Sequence, residues 1–234
     1  MATPITKQNE ASDMQRWQAV PFGVEYPEQD LAPERYRVRS RGFEGPVDTV
    51  SAMTGVILAV RAARWLPDPA SPDDAPVTQC ELVAPGTGAW RVTPDDPNTA
   101  IEMRQCASCP MNKWGSAGEG RRGKACREKR LLLVLRDGEA LPVTVVAPPT
   151  SIMPVARFET RAAARRLRLG QIHIKLSTQA QKRGQEEWGV LQIEELGLLD
   201  DPAQEDLVGR LLAGPLADMY QKWTAPPVQQ DAAI

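Results

Sequence analysis

One histidine occurs among the 234 residues, and aromatic side chains make up only 5% of the chain. A lone imidazole cannot build a His-based metal centre, and it offers no convincing general base. No run approaches the roughly 18 apolar residues that a membrane helix needs, and the N-terminal MATPITKQNEASDMQRW lacks the apolar core of a secretory signal. The expectation is a cytoplasmic protein. No internal repeat is visible. With 42% hydrophobic and 25% charged residues the composition is neither disordered nor collagenous, and the length suits one sizeable core or a core plus a small module.

What is present is unevenly distributed. The net charge of −2 conceals a block from Arg104 to Arg183 with 17 Lys and Arg against 5 Asp and Glu. The remainder therefore carries 11 basic and 25 acidic residues. Such asymmetry suggests a polyanion-binding surface between acidic flanks, the alternative being a solvated basic face with acidic tails.

Residues 1–34 are polar and Pro-punctuated and read as an extended arm. Tyr36 and Val38 alternate with Arg35, Arg37, Arg39 and Arg41 as a strand, which ends at the turn signal Gly42 to Pro46. Val47 to Trp65 reads as one long strand bent at Gly55. The stretch from about 77 to 129 loses apolar periodicity and gains all four cysteines, which marks an inserted module. Leu131 to Leu135 and Leu141 to Ala147 then form a hairpin about Asp137-Gly138. A helix follows from about Ile152 to Leu169, capped by Thr150 or Ser151 and ended by Gly170. Ile172 to Ser177 alternates as a strand, Gln179 to Glu187 reads as a polar loop, and Trp188 to Leu196 alternates again. A C-terminal amphipathic helix is expected over 201–223 and a disordered tail over 224–234.

The expected class is a β-rich α+β fold. With the module and the ends set aside, the order of elements is that of an OB-fold, a five-stranded barrel with its helix between the third and fourth strands. The barrel would occupy 35–200, with the cysteine module between its first two strands. An α+β sandwich with the same order of elements is the alternative.

Cys80, Cys106, Cys109 and Cys126 read C-x25-C-x2-C-x16-C. Four thiolates around one ion form a common structural zinc site, and the C-x2-C pair puts two sulfurs on one tight turn. Disulfides are disfavoured without an export signal, whereas an iron-sulfur cluster also fits this spacing. A four-thiolate shell has no open position, so the expected zinc is structural and contributes folding energy to residues 80–126.

Basic and aromatic residues surround the cysteines. Lys113 and Trp114 precede a Gly-rich stretch with Arg121, Arg122 and Lys124, and Arg127, Lys129 and Arg130 follow Cys126. Glycines admit a phosphate closely, Lys and Arg neutralise it, and Trp114 can stack on an unpaired base. The alternative is that Trp114 packs over the knuckle and the basic run is solvated. The glycines do not make a Walker loop, whose spacing and hydroxyl are missing.

Cys80, Cys106-Ala-Ser-Cys109-Pro110-Met-Asn112-Lys-Trp114-Gly115-Ser116-Ala117, Gly123-Lys124-Ala125-Cys126 and Pro148-Pro149-Thr150-Ser151 resemble a family of small four-cysteine, zinc-type proteins of phages and mobile elements associated with single-stranded DNA binding. The resemblance covers roughly residues 50–196. It implies a four-cysteine metal site, a phage-type origin and hence a bacterial host cytoplasm. The sequence departs from the family pattern around Cys80.

The leading expectation is a non-enzymatic protein that binds single-stranded DNA and assists replication or recombination. Phosphates would be held by Arg121, Arg122, Lys124, Arg127, Lys129 and Arg130, with Arg61, Arg64 and Lys175 on the barrel face. Trp114, with Trp65 or Trp188, would stack on bases. The stretch from Glu186 onward, 10 acids against 2 basic residues, would dock basic replication partners. An interaction module within a replication or transcription complex is the alternative. An iron-sulfur DNA-processing enzyme is third, because the basic block offers only Glu119, Glu128, Asp137, Glu139 and Glu159 and no pair of acids at metal-ligand spacing.

Overall fold

Alternation at residues 35–39 builds a strand with two unlike faces. In β1 (Arg35–Arg39) the arginines are exposed while Tyr36 and Val38 are buried. The computed structural model describes residues 34–67, 78–84, 86–94, 96, 98–118, 123–200, 202, 205, 206, 208 and 209. The expected turn at Gly42 to Pro46 is partly a strand, β2 (Gly42–Glu44), which folds back on β1 and pairs in turn with β3 (Thr49–Val50). Burial of Phe43 holds β2 in place, and the Tyr36 hydroxyl donates to Asp48 at 2.7 Å across the loop between β2 and β3.

The long strand is β4 (Ala52–Pro67). The strand was expected to bend at Gly55; its register shift against β8 falls between Ile57 and Ala59. Gly55 instead permits a close approach: its φ is +149°, and a Cβ there would lie 2.1 Å from the carbonyl oxygen of Leu135.

The cysteine module is more regular than its sequence suggests. β5 (Thr78–Ala84), β6 (Thr87–Arg91) and β7 (Ile101–Gln105) form an antiparallel meander on the C-terminal end of β4. β7 is fully or partly exposed along its length, so no buried period marks it in the sequence.

β8 (Arg127–Arg136) and β9 (Val143–Ala147) make the expected hairpin. The uninterrupted run Leu132 to Leu135 is buried because both of its sides are covered. Leu132 and Val134 join one apolar cluster, and Leu133 and Leu135 join another. The helix α1 (Ile152–Ala164) buries Val155, Phe158 and Ala162. It stops short of the expected Leu169, and Arg166 turns out of the helix with φ +58°. Ser151 occupies the N-cap position but makes no side-chain cap bond. Its hydroxyl accepts the backbone N–H of Leu191 at 2.9 Å, a partner 40 residues away that no local pattern reveals.

β10 (Ile172–Arg183) and β11 (Glu186–Leu198) are longer than expected, because the polar segment from Gln179 to Glu187 continues the hairpin apart from its turn. Beyond Ser177, β10 pairs with β11 and, among the described residues, with no other strand.

The strands form one mixed sheet in the order β3-β2-β1-β9-β8-β4-β5-β6-β7. β10 pairs with the N-terminal half of β4, and β11 pairs with β10. The β1–β9 pair is parallel, and the other pairs are antiparallel. The main core draws on β1, β2, β4, β8, β9, β10, β11 and α1. A smaller cluster on the other side of β4 and β8 gathers Val56, Leu58, Ala59, Leu133, Leu135 and Val208.

Within the expected C-terminal helix, the described positions 202, 205, 206, 208 and 209 are helical. The rest of it, residues 1–33 of the expected arm and the expected tail lie outside the described residues. Among the described residues no helix is long and apolar enough to cross a membrane.

Candidate metal centre and nucleic-acid interface

The meander and the loop after it bring the four cysteines to one cavity. Cys80 lies on β5 opposite Trp90 of β6, Cys106 follows the end of β7, and Cys126 directly precedes β8. All four line the same cavity, together with Leu66, Gly88, Trp90, Arg104, Met111 and Asn112. Gly88 makes the approach possible, since a Cβ there would meet the Cys80 Sγ at 2.8 Å and lie 3.8 Å from the Cys106 Sγ. The loop carries its own hydrogen bonds. Cys106 N–H donates to Gly86 O at 2.7 Å, Asn112 N–H to Cys109 O at 3.0 Å, and Cys126 N–H to Met111 O at 2.9 Å. The Asn112 side chain donates to Cys106 O at 2.7 Å, and the Ser116 hydroxyl accepts from Ala125 N–H at 3.0 Å.

None of the four thiols is in a disulfide. Burial pushes the Cys80 thiol up to about 11, and the three neighbouring cysteines push the same way against a smaller opposing pull from Arg104. Cys126 is raised by burial and by Cys106 and Cys109, against Arg64 and Lys124. These mutual effects place the four groups within one electrostatic neighbourhood. Among the described residues, however, no three His, Cys, Asp or Glu side chains stand as a metal-holding group. The thiols share a cavity without being closed into a coordination shell.

The basic residues separate by sheet face. Directly paired residues on neighbouring strands point to the same side, as do positions two apart on one strand. Trp65 pairs with Arg127, Ala63 with Lys129, and Arg61 with Leu131. Leu131 pairs with Val146, which pairs with Arg37, and Leu133 pairs with Thr144, which pairs with Arg35. Arg61, Trp65, Arg127, Lys129, Arg35 and Arg37 therefore share one face. The Lys129 ammonium lies 4.5 Å from the Trp65 ring centre and the Arg127 guanidinium 5.7 Å. Burial lowers the Lys129 pKa, and Arg127, Arg37 and Arg35 lower it further. Burial also lowers that of Arg61, opposed by Glu81.

Arg64 and Arg130 fall on the opposite face, where both pair with Glu128, at 3.5 and 2.9 Å. Lys175 is exposed, but its partner on β4 is Thr54, at the other end of that strand from Trp65. Trp114 is 78% exposed and does not pack over the knuckle. Lys113 is exposed beside it, and Lys124 donates to the Asn112 side chain at 3.2 Å. Arg121 and Arg122 lie outside the described residues. Trp188 sits on the β10–β11 hairpin opposite Gln181, with its indole N–H buried and unpartnered among the described residues. His173 contacts Asp137 at 2.9 Å, consistent with a strand residue outside the cysteine site.

The expected cations were those near the cysteines in the chain, with Arg61, Arg64 and Lys175 added from the barrel face. Arg35 and Arg37, legible in the sequence as the polar positions alternating with Tyr36 and Val38, belong to the face of Trp65 as well.

No family model matches the chain, and no match was found among curated proteins or solved structures.

Proposed function

We propose that the protein binds single-stranded DNA, without catalysing a reaction on it, on the outer face of an OB-like barrel whose first connection carries a structural metal loop. The barrel reading assigns β4, β8, β9, β10 and β11 as the five strands, with α1 between the third and fourth. It is supported by the pairings β4–β8, β8–β9, β4–β10 and β10–β11 and by the core they share. OB-folds bind oligonucleotides on the face of strands 2 and 3 and on the loops after strands 1 and 4. Here those are β8 and β9, the cysteine module and the β10–β11 hairpin.

The observation that carries the function is Trp65 with Arg127 and Lys129 beside its ring. Neither cation is in an ion pair among the described residues. A base stacks on the ring as the cations move to its phosphates, and the exposed Lys113 and Trp114 on the module extend the contact. The motif resemblance supplies the setting, replication or recombination in a phage or mobile element.

For the metal, the donor set fits zinc: four cysteines outside any disulfide, one cavity, and a glycine where a Cβ would obstruct the Cys80 sulfur. Cys80, Cys106, Cys109 and Cys126 would hold it, and its chemistry would be purely structural. An iron-sulfur cluster is the competing occupant. Metal analysis with an absorbance spectrum separates them, since a brown protein rules out zinc alone.

Titration of tryptophan fluorescence with single- and double-stranded oligodeoxynucleotides tests the function. Single strands should bind more tightly, and the affinity should fall steeply with salt. Trp65→Ala should lose about 1–3 kcal/mol of binding. Equal affinity for duplex, or indifference to salt, would contradict the proposal.

A second reading, an interaction module, is favoured by β7. This strand ends the sheet and exposes Ile101 (48%) and Met103 (55%), which suits strand addition by a partner protein. Salt-sensitive binding to a protein with none to oligonucleotides would select it.

A further inference from the structure

The proposed barrel accounts for five strands, but β1 is not among them. It lies beside β9 in parallel, and its outward side carries Arg35 and Arg37. Both are exposed, and neither is in an ion pair among the described residues.

We infer that Arg35 and Arg37 bind phosphates of the DNA, and that the single strand crosses the sheet from Trp65 on β4, over β8 and β9, to β1. This deepens the reading above and rests on it.

Three observations support the path. The first is continuity: Trp65, Arg127, Lys129, Leu131, Val146 and Arg37 follow one another through direct strand pairs or steps of two on a single face. Leu131 and Val146 give the middle of that path an apolar floor between two cationic ends. From β4 to β1 are three strand spacings, about 15 Å, and the path advances four residues along β8, about 13 Å, so its diagonal is about 20 Å, enough for roughly three to six nucleotides.

The second is the way the path is bounded by acids. Beyond Trp65 on the β5 side, its direct partner is Glu81. Beyond Arg37 on the β2 side, its direct partner is Glu44, which is bonded to Arg39. Between Glu81 and Glu44, among the described residues, the paired positions on β8, β9 and β1 along the path hold no acidic side chain, so a phosphate chain there meets positive or neutral groups.

The third is crowding. Lys129 feels Arg127, Arg37 and Arg35 together, so these cations share one field although they come from strands about 90 residues apart in the chain. Like charges held together destabilise the free protein. A polyanion that supplies the missing counter-charge relieves this repulsion on binding.

The test uses the full chain and a short single-stranded oligodeoxynucleotide titrated across a salt series, with Arg35→Ala/Arg37→Ala, Trp65→Ala and Arg157→Ala compared. Arg157 is exposed on α1 and serves as the control. The double variant should bind about tenfold more weakly, and its slope of log affinity against log salt should flatten by about 1.4, or 0.7 for each phosphate no longer neutralised. Arg35→Lys/Arg37→Lys should restore most of the slope, which shows that the charge is what acts. Thermal melts of the variants separate this from a folding defect.

If the double variant keeps the wild-type slope and affinity while Trp65→Ala loses binding, the crossing path is wrong and the binding function stands. If the unaltered chain fails to bind single strands even at low salt, the functional reading itself falls. An equal loss in Arg157→Ala would also overturn the inference, because the effect would then be a general charge effect.

Discussion

Along β4, which pairs with β10 up to Val56 and with β8 from Gly55 onward, Met53 and the run Val56 to Ala59 are buried, whereas Arg61 to Trp65, with β8 on one side and β5 beyond, remain partly or fully exposed. One continuous strand thus serves two regions built on different principles. Its first half belongs to a core closed by leucine, isoleucine, valine and phenylalanine. Its second half leads into a meander where, among the described residues, the buried apolar side chains are few, chiefly Leu66 and Cys106. The first region is held by the removal of apolar surface from water, and the second by strand pairing, loop hydrogen bonds and, on the proposal above, a metal ion. Neighbouring segments of one sheet can therefore respond to different perturbations.

The largest separation should come from chelation. Stripping the metal should abolish amide-exchange protection across the meander and the loop to Cys126 while protection of β8 to β11 persists, because metal affinity is the folding energy of such a module. Simultaneous loss of both regions would show that the core depends on the module. Next is Phe158→Ala, which empties a fully buried site on α1 and should cost about 3–5 kcal/mol in denaturant unfolding. The metal content of the folded variant should be unchanged. Ser151→Ala should cost about 1–3 kcal/mol, since it leaves the Leu191 N–H buried without its acceptor. Ser116→Ala, in the module, removes the corresponding acceptor of Ala125 and should be felt mainly in exchange rates there.

The smallest effect is a pH dependence. Burial raises the Glu159 carboxyl above its ordinary 4.5, opposed by Arg130. A raised folded-state pKa means that its favourable contribution is complete below the unfolded value and is lost as pH rises through the folded value. Glu159→Gln should therefore gain in stability relative to the unaltered protein between about pH 4 and 7, as measured by melting across that range. A constant difference would remove the titration of Glu159 as the cause.

The same division governs what could be read from the sequence. The enclosed half was legible: the alternation at Ile172, Ile174 and Leu176, the apolar run Leu131 to Leu135 and the helix after Pro148-Pro149 all correspond to elements, because burial imposes a period. The meander was not, because strands held by backbone pairing with little burial leave no such period. Helix capping failed as a local inference because Ser151 is committed to a strand 40 residues away. The cysteine spacing suggests a four-thiol metal site; the four cysteines line one cavity, and among the described residues no three of them stand as a metal-holding group. The charge count located a basic block, but it could not distinguish cations already in ion pairs, such as Arg64 and Arg130 on Glu128 or Arg161 and Arg165 on Glu195, from those such as Arg127 and Lys129 that are in no ion pair among the described residues. Nor could it add Arg35 and Arg37, which lie outside the block and join its face only through β9.

The parallel β1–β9 pair, which sets Tyr36 against Val145, also orders events in time. Closing a loop of that length directly costs about 4 kcal/mol beyond a constant. Once β4, β8 and β9 are assembled, the remaining connection from β1 to β4 is short, and the corresponding cost falls to about 2 kcal/mol. Among the described strands β1 is made first; it can pair with β2 at once but has no parallel partner until residue 147 has followed it, so its docking on β9 is expected after β4, β8 and β9 assemble. A chain interrupted during synthesis would carry its cysteines before it carried a completed arginine row.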